Sequence, residues 1–255
     1  MNKERKVLFL TVLASLALFV NAPVLCDSEQ SPHWSYEGEE GPEHWGEIAE
    51  LYRMCSEGKN QSPIDLTVDV HAGLPELVFD YHSSNLRETN TGHSIQQNVQ
   101  PGSFLTITGR DARYQLKQFH FHSPSEHKIN GRSYAMELHF VHVSDDGALA
   151  VVGVLIDEGE EHPVLNQLWS WMPENAGDTI EQAIGIEETN LLPPTREYFA
   201  YSGSLTTPPC SEGVAWVVLK TPIEASAEQI ARFKERVGPA TNRPVQPHNA
   251  RLILD

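Results

Sequence analysis

The sequence predicts a mainly β domain with a few peripheral helices. Five stretches alternate apolar and polar residues with a period of two, and they are rich in β-branched and aromatic residues. Turn residues separate three consecutive stretches, which predicts antiparallel neighbours. Only two stretches show the three-to-four-residue spacing of apolar residues that is typical of amphipathic helices.

The predicted strands lie between residues 104 and 219. Asn130-Gly131 separates the second stretch from the third, and the run from Asp145 to Gly147 separates the third from the fourth. These dipeptides and their neighbours favour tight turns, so the three strands that they join should be antiparallel. The five strands are predicted at Phe104–Thr108, Tyr114–His122, Tyr134–Val143, Ala148–Ile156 and Ala215–Leu219.

Two helices complete the prediction. Ser226 and Gln229 have the spacing of a capping box, and Gly238 can end the helix that begins there. The apolar face of this helix consists of Ile230, Phe233 and Val237. The apolar stripe of the other helix consists of Leu165, Leu168, Trp169 and Met172.

Residues 1–26 have the pattern of a signal peptide that is removed on export. A basic head precedes an uncharged apolar run of 14 residues, Val7–Val20, which is short for a membrane span. The bulky residue before Cys26 argues against lipid attachment at that cysteine. Residues 27–31 read as a polar lead-in, and residues 32–255 as a single domain, because no linker, repeat or low-complexity tract interrupts them.

The charge balance and the cysteines restrict partners and location. The chain has 18 basic and 35 acidic residues, a net charge of −17, which argues against binding to nucleic acid or to an anionic membrane surface. No further apolar run follows the signal peptide, so no membrane span is expected after its removal. Export places the protein in the periplasm or outside the cell. In that oxidising environment the two remaining cysteines, Cys55 and Cys210, are expected to form a disulfide.

A group of histidines carries the strongest functional signal. His120 and His122 lie two residues apart on a predicted strand and therefore point to the same face. His139 on the neighbouring antiparallel strand can complete a group of three, and three neutral imidazoles bind Zn²⁺ with a fourth position open, as in catalytic sites. Gln118 and Glu137 each precede a histidine by two residues, so each can hold the other ring nitrogen of that histidine.

Other classes of protein use a similar pair of histidines. A cupin-like β-barrel, which binds iron or manganese, adds a glutamate a few residues later, and Glu126 could serve as that glutamate. A metal-dependent amidohydrolase needs a repeated alternation of strands and helices, which the pattern lacks. A non-enzymatic binding module has no need of an open metal position. The residues by themselves leave the cupin-like alternative open.

Further motifs closely resemble the α-carbonic anhydrase family, from about His33 to the C-terminus. Only three residues separate His122 from Glu126, which resembles the bacterial branch of that family. Cupins do not carry the stretch SGSLTTPP. The resembling segments are HWSY at 33–36, GPEHW at 41–45, GKNQSPI at 58–64, QFHFH at 118–122, SEH at 125–127, ELHFVH at 137–142, YSGSLTTPP at 201–209 and RPVQP at 243–247.

The resemblance implies a large, twisted, mostly antiparallel central sheet with zinc in a conical cleft. It implies that residues 32–255 are a catalytic domain that reversibly hydrates carbon dioxide to bicarbonate and a proton by means of zinc-bound hydroxide. It also implies that His120, His122 and His139 bind one zinc ion per chain. The expected partners are carbon dioxide and bicarbonate, with a homodimer as a candidate assembly.

The resemblance assigns roles to further residues around the zinc. Thr206 and Glu126 are expected to form a hydrogen-bonded gate that orients the nucleophile, and His93 is expected to shuttle protons. The carbon dioxide pocket is expected to contain Val141, Val151, Leu205, Thr207 and Trp216.

Overall fold

The structure is a computed structural model that describes residues 31–109 and 112–255. Residues Pro32–Asp255 form one compact unit. The predicted signal peptide, residues 1–26, and the predicted lead-in up to residue 30 lie outside the described residues. Among the described residues, no helix is both long enough and apolar enough to cross a membrane.

Strands dominate the described part of the chain. They are β1 (Asp65–Leu66), β2 (Leu77–Asp80), β3 (Ser84–Asn90), β4 (Ile95–Asn98), β5 (Phe104–Ile107), β6 (Arg113–His122), β7 (Lys128–Ile129), β8 (Met136–Ser144), β9 (Leu149–Glu158), β10 (Thr179–Ile186), β11 (Tyr198–Ser204) and β12 (Glu212–Ala225). The α-helices are α1 (Trp45–Ile48), α2 (Met54–Glu57), α3 (Pro163–Trp169) and α4 (Ala227–Val237), and there are short 3-10 helices at Gly38–Glu40, Glu50–Tyr52 and Glu188–Leu191. The mainly β class with peripheral helices is confirmed.

A sheet of ten strands forms the centre of the fold, in the order β10-β3-β4-β6-β8-β9-β12-β11, with β5 paired to β6 and β2 paired to β5. β5 pairs with the first half of β6, and β4 pairs with the second half. Within this sheet β9 and β12 run parallel, and the other described pairs are antiparallel. The expectation of a large, mostly antiparallel sheet is therefore confirmed.

All five predicted strands are present, and the last is much longer than predicted. The prediction ended at Leu219, whereas β12 continues to Ala225. Pro222 obscures this continuation in the sequence, because proline cannot donate to a strand ladder. The ladder between β12 and β9 is irregular between Leu219 and Ile223, and this irregularity accommodates the proline.

Several strands were not predicted from the sequence, either because polar residues occupy their buried faces or because they lie at an edge of the sheet. The face of β3 that is buried carries Ser84, Glu88 and Asn90, where an apolar pattern would be expected. Burial raises the pKa of Glu88 to about 8, so its carboxyl group is mostly neutral at neutral pH. β10 is an edge strand, and its side chains alternate between exposed and half-buried until Ile186.

The two predicted helices are α3 and α4. The capping box at Ser226 and Gln229 is confirmed, and Gly238 follows the helix with a φ of 110°. α3 ends at Trp169, so Met172 lies beyond the helix although it remains in the core. Trp169 donates a hydrogen bond of 2.8 Å to the carbonyl of Gln229, which holds α3 against α4.

The two faces of the sheet carry different layers. Phe119 and Phe121 belong to the larger apolar cluster, which also contains residues of α3 and α4. The alternation of β6 places His120 and His122 on the opposite face. That face is covered in part by a smaller cluster, which includes Val151 and Trp216. The sheet thus separates the main core from the face that carries the histidines.

A disulfide joins Cys55 of α2 to Cys210, as predicted, with the two Cα atoms 5.0 Å apart. Both cysteines pack in a small buried cluster with Trp45 and Tyr52. The backbone N–H of Cys210 donates to the carbonyl of Thr207 at 2.8 Å. The disulfide therefore links the N-terminal helices to the loop that carries the predicted gate and pocket residues.

Candidate active site

The three predicted histidines meet on the face of the sheet opposite the main core. His120 on β6 lies directly across from His139 on β8. The ring centroids lie 5.0 Å apart for His120 and His122, 5.4 Å for His120 and His139, and 4.7 Å for His122 and His139. One ring nitrogen of each histidine lies within 4.8 Å of the other two, so the three form a group that could hold a metal ion.

Two of the rings are oriented by the residues that the sequence predicts. The Nδ1–H of His120 donates to Oε1 of Gln118 at 2.8 Å, because an amide oxygen can only accept. The Nε2–H of His139 donates to Oε1 of Glu137 at 2.8 Å. These bonds fix the tautomer of each ring and leave Nε2 of His120 and Nδ1 of His139 with a lone pair for a metal.

The third ring is oriented by a group that the sequence did not reveal. The Nδ1–H of His122 donates to the backbone carbonyl of Thr241 at 2.5 Å, across a separation of 119 residues. A backbone carbonyl is present at every residue, so its use here leaves no sequence signal. Nε2 of His122 is buried and has no hydrogen-bond partner among the described residues. A buried polar atom without a partner is costly, and a metal ion would satisfy this one.

The electrostatics also suit a cation. Burial lowers the pKa of His120 and of His122, which favours the neutral rings that a metal requires. Burial would also lower the pKa of His139, but the Glu137 carboxylate outweighs burial and raises it. A partner of this kind increases the basicity of a ligand. The donor set of three imidazoles with carboxylates nearby therefore fits a divalent metal of the zinc type.

Glu137 is held firmly by its surroundings. Its Oε2 accepts from the backbone N–H groups of Glu126 at 2.9 Å and His127 at 2.8 Å, and its Oε1 also accepts from Nδ1 of His127 at 2.7 Å. Burial alone would raise the pKa of Glu137, but the charges and hydrogen bonds of His127 and His139 hold it well below its usual range. Gly153 lies across from His139, where a Cβ would come within 3.0 Å of Glu137 Oε1.

Glu126 and Thr206, the predicted gate, are both buried. Oε2 of Glu126 lies 3.6 Å from Nε2 of His122, and Oε1 accepts from the backbone N–H of Arg243 at 2.8 Å. Within residues 31–109 and 112–255, Oε2 has no hydrogen-bond partner, and no bond links Glu126 to Thr206. The gate therefore stays a prediction. Arg243 belongs to the RPVQP segment noted in the sequence analysis, but its backbone hydrogen bond to Glu126 was not predicted.

His93 lies at a cleft that reaches the metal histidines. It stands on the turn between β3 and β4, and β4 pairs with β6 beside His120. A cavity of about 220 Å³ is lined by His93 together with His120, His122 and Thr207. The His93 ring stacks on Trp34, with centroids 3.6 Å apart and an angle of 11°. Burial lowers the pKa of His93, and nearby His33 lowers it further.

The predicted pocket residues form an apolar wall next to His139. Val141 pairs with Val151, and Val151 pairs with Trp216, so these three side chains share one face across β8, β9 and β12. Val151 and Trp216 belong to the smaller apolar cluster, and Val141 and Leu205 pack against it. The Trp216 ring lies 4.9 Å from the His139 ring, centroid to centroid. The wall therefore begins directly beside one of the candidate metal donors.

The fold and the site together define a class of protein, a mainly β domain whose sheet carries three histidines that could hold a metal ion, beside an apolar wall. Comparison with known proteins identifies the family. The family model for eukaryotic-type carbonic anhydrase matches residues 40–255, and the chain belongs to this family. It is therefore an enzyme of the carbonic anhydrase type, and the cupin-like alternative is excluded.

Individual relatives agree with this assignment. A carbonic anhydrase of Klebsiella pneumoniae is 44% identical over 223 residues, which cover 88% of this chain and 91% of the relative. The α-carbonic anhydrase of Thermovibrio ammonificans, solved with the inhibitor sulfanilamide, superposes with a TM-score of 0.85 at 45% identity and covers 89% of this chain and 100% of that one. A hyperthermostable carbonic anhydrase from a hydrothermal vent chimney gives 0.84 at 50% identity, with coverages of 87% and 99%. Hydration of carbon dioxide is the activity of the family.

Proposed function

We propose that the chain reversibly hydrates carbon dioxide to bicarbonate and a proton at a zinc ion bound by His120, His122 and His139. The observation that carries this proposal is the convergence of three ring nitrogens, each on a ring held by its other nitrogen. Three neutral donors leave a fourth coordination position open, as catalytic zinc sites do. When bound there, zinc lowers the pKa of water to about 7, a value established for carbonic anhydrases, and so supplies a nucleophile at neutral pH.

The gate residues orient that nucleophile. An ionised Glu126 can only accept hydrogen bonds, so a Thr206 hydroxyl that donates to it must accept from the nucleophile. That arrangement turns a lone pair of the nucleophile toward the substrate. The burial of both side chains supports these roles, since hydrogen bonds are stronger where water is excluded.

The apolar wall receives carbon dioxide. This substrate is apolar and has few groups with which a protein can form hydrogen bonds. A small apolar recess beside the metal is therefore the suitable site. Val141, Val151 and Trp216 lie in one row next to His139 and provide such a surface. Leu205 packs against the same cluster, and Thr207 lines the cavity that His120 and His122 also line.

Metal removal tests the proposed function. Carbon dioxide hydration should fall to the uncatalysed background after zinc is chelated, and it should return when zinc alone is added back. Thermal unfolding measured on the chelated protein checks that the fold persists. Activity that survives complete removal of zinc contradicts the proposal, and so does the absence of activity in protein that holds one zinc per chain.

His93 is proposed to carry the product proton out of the site. A group with a pKa of about 7 releases protons to water only about 10³ times per second, given a reprotonation limit of about 10¹⁰ M⁻¹s⁻¹. Carbonic anhydrases reach about 10⁶ s⁻¹, so a faster acceptor is needed. A histidine titrates in the right range, and His93 lines the cleft of the metal histidines.

His93→Ala should lower kcat by roughly tenfold or more in weak buffer. It should leave kcat/KM for carbon dioxide nearly unchanged, because hydration precedes proton export. Added imidazole should restore part of the lost rate. His82→Ala, which removes an exposed histidine paired with Asp80 at 3.4 Å, is the matched control. The shuttle role of His93 would be disproved if His93→Ala kept an unreduced kcat in weak buffer while turning over faster than about 10³ s⁻¹.

Export is proposed together with this activity. The Cys55–Cys210 disulfide supports a periplasmic or extracellular location, because disulfides persist mainly in oxidising compartments. The signal peptide predicted from the sequence at residues 1–26 would deliver the chain there.

A further inference from the structure

One short segment, residues 33–36, packs around the ring of His93. Trp34 stacks on its ring, and Tyr36 meets the ring edge-on with centroids 6.3 Å apart and an angle of 79°. The third neighbour is His33, whose ring centroid lies 6.4 Å from that of His93. His93 is half-buried, whereas His33 is exposed. The only titratable ring in this enclosure that solvent reaches freely is thus His33, among the described residues.

A carboxylate lies next to His33 on the outer side. Nε2 of His33 is 3.5 Å from Oε2 of Glu40, and the two side chains are 75% and 52% exposed. A sequence of proton-accepting groups therefore runs outward from the cleft, first His93, then His33, then Glu40. Its exposed end is accessible to buffer, and its inner end lines the cavity that contains the metal histidines.

We propose that His33 is a second proton acceptor, which takes the proton from His93 and releases it, beside Glu40, to a buffer base in solution. This proposal rests on the proposed role of His93 as a shuttle. It adds a group to the exit path, because His93 alone is held half-buried under an indole ring, where a buffer molecule has limited access.

The transfer balances without any further reactant. An N–H bond of the His93 imidazolium breaks, and an N–H bond forms on the neutral ring of His33. A water molecule between the rings can accept one proton and donate another, so it is unchanged at the end. His93 returns to its neutral form, and the imidazolium of His33 then gives its proton to the buffer base. No electrons are exchanged.

The electrostatics give the transfer its outward direction. Burial lowers the pKa of His93, so a proton on this ring is held weakly. The outer ring is in water, where a charge is solvated, and the Glu40 carboxylate of opposite sign lies beside it. While His33 holds the proton, its positive charge disfavours the arrival of a second proton at His93.

Steady-state kinetics in weak buffer test the relay with the full-length, zinc-loaded protein. His33→Gln should lower kcat several-fold and leave kcat/KM unchanged, and imidazole at high concentration should restore kcat. Glu40→Gln should lower kcat in the same direction by a smaller factor. The double variant His33→Gln/His93→Ala should be no slower than His93→Ala alone, because both residues act in one path.

His44→Gln is the matched control, because His44 is also exposed and lies 3.8 Å from a carboxylate, that of Glu47. An unchanged kcat of His33→Gln in weak buffer, with His93→Ala slow, overturns the relay and leaves the shuttle intact. Normal kcat in both variants overturns the relay and the shuttle together. A loss in His33→Gln that imidazole does not restore, or that comes with a lower melting temperature, also overturns the relay, since it indicates a structural role.

Discussion

His139→Ala is expected to lose most of its bound zinc and to lose carbon dioxide hydration with it. The substitution removes one of three donors and leaves Glu137, which accepts from the His139 ring at 2.8 Å, without that partner. Loss of an outer hydrogen-bond partner alone typically lowers metal affinity or activity by about 10- to 100-fold, and loss of a donor should cost more. Metal analysis of the purified variant, together with a hydration assay, measures both effects.

Gln118→Ala provides the graded comparison. This variant keeps all three donors and removes only the group that orients His120. It should still bind one zinc per chain when zinc is in excess, with a weaker affinity. Thermal unfolding of both variants separates loss of metal from loss of fold. Full zinc content in His139→Ala would rule out the three-histidine centre.

Val151→Tyr is expected to block hydration while zinc stays bound. Val151 is only 2% exposed and lies between Val141 and Trp216 in the apolar row, so a larger ring must extend into the recess. The proposed zinc donors lie on β6 and β8, whereas Val151 lies on β9, so the metal should remain. A displacement of the reacting atoms by about 1 Å already costs about 10²-fold, and kcat/KM should fall by at least this factor.

The control for this experiment is Val78→Tyr. It makes the same exchange on β2 at a side chain that is 46% exposed, so it should leave kcat/KM unaltered. Extra volume in a packed region costs about 1–3 kcal/mol of stability, and thermal unfolding of Val151→Tyr checks that the variant remains folded under assay conditions. Normal kcat/KM in zinc-bound Val151→Tyr would place the carbon dioxide recess elsewhere.

The donor histidines could be predicted because a period of two assigns residues to faces. His120 and His122 had to share a face of β6, and the turn residues made β8 its antiparallel neighbour, so His139 came alongside. Gln118 and Glu137 followed from the same period. The carbonyl of Thr241 could not be predicted, because its role depends on a contact between segments far apart in the chain.

Strand β3 shows why part of the fold could not be predicted. Its buried face carries Glu88 and Asn90, which a hydrophobicity pattern assigns to solvent. The turn that follows this strand nevertheless brings His93 to the cleft. Arg243 is a second example, since its side chain is fully buried and donates to the carbonyls of Ser62 and Cys55 at 2.8 Å. Arginine side chains are mostly exposed in proteins, and here the tertiary contacts of Arg243 outweigh that preference for the surface.

The chemistry of the three donors has a consequence for competition among metals. Imidazole nitrogens bind several divalent ions of the first transition row, and their affinities increase from manganese to copper before falling again at zinc. A site made of three such nitrogens, with no thiolate and no flexible carboxylate among its donors, has no ligand that favours zinc over copper. Which ion fills the site is therefore decided by coordination geometry and by the concentrations of free metal that the chain meets while it folds.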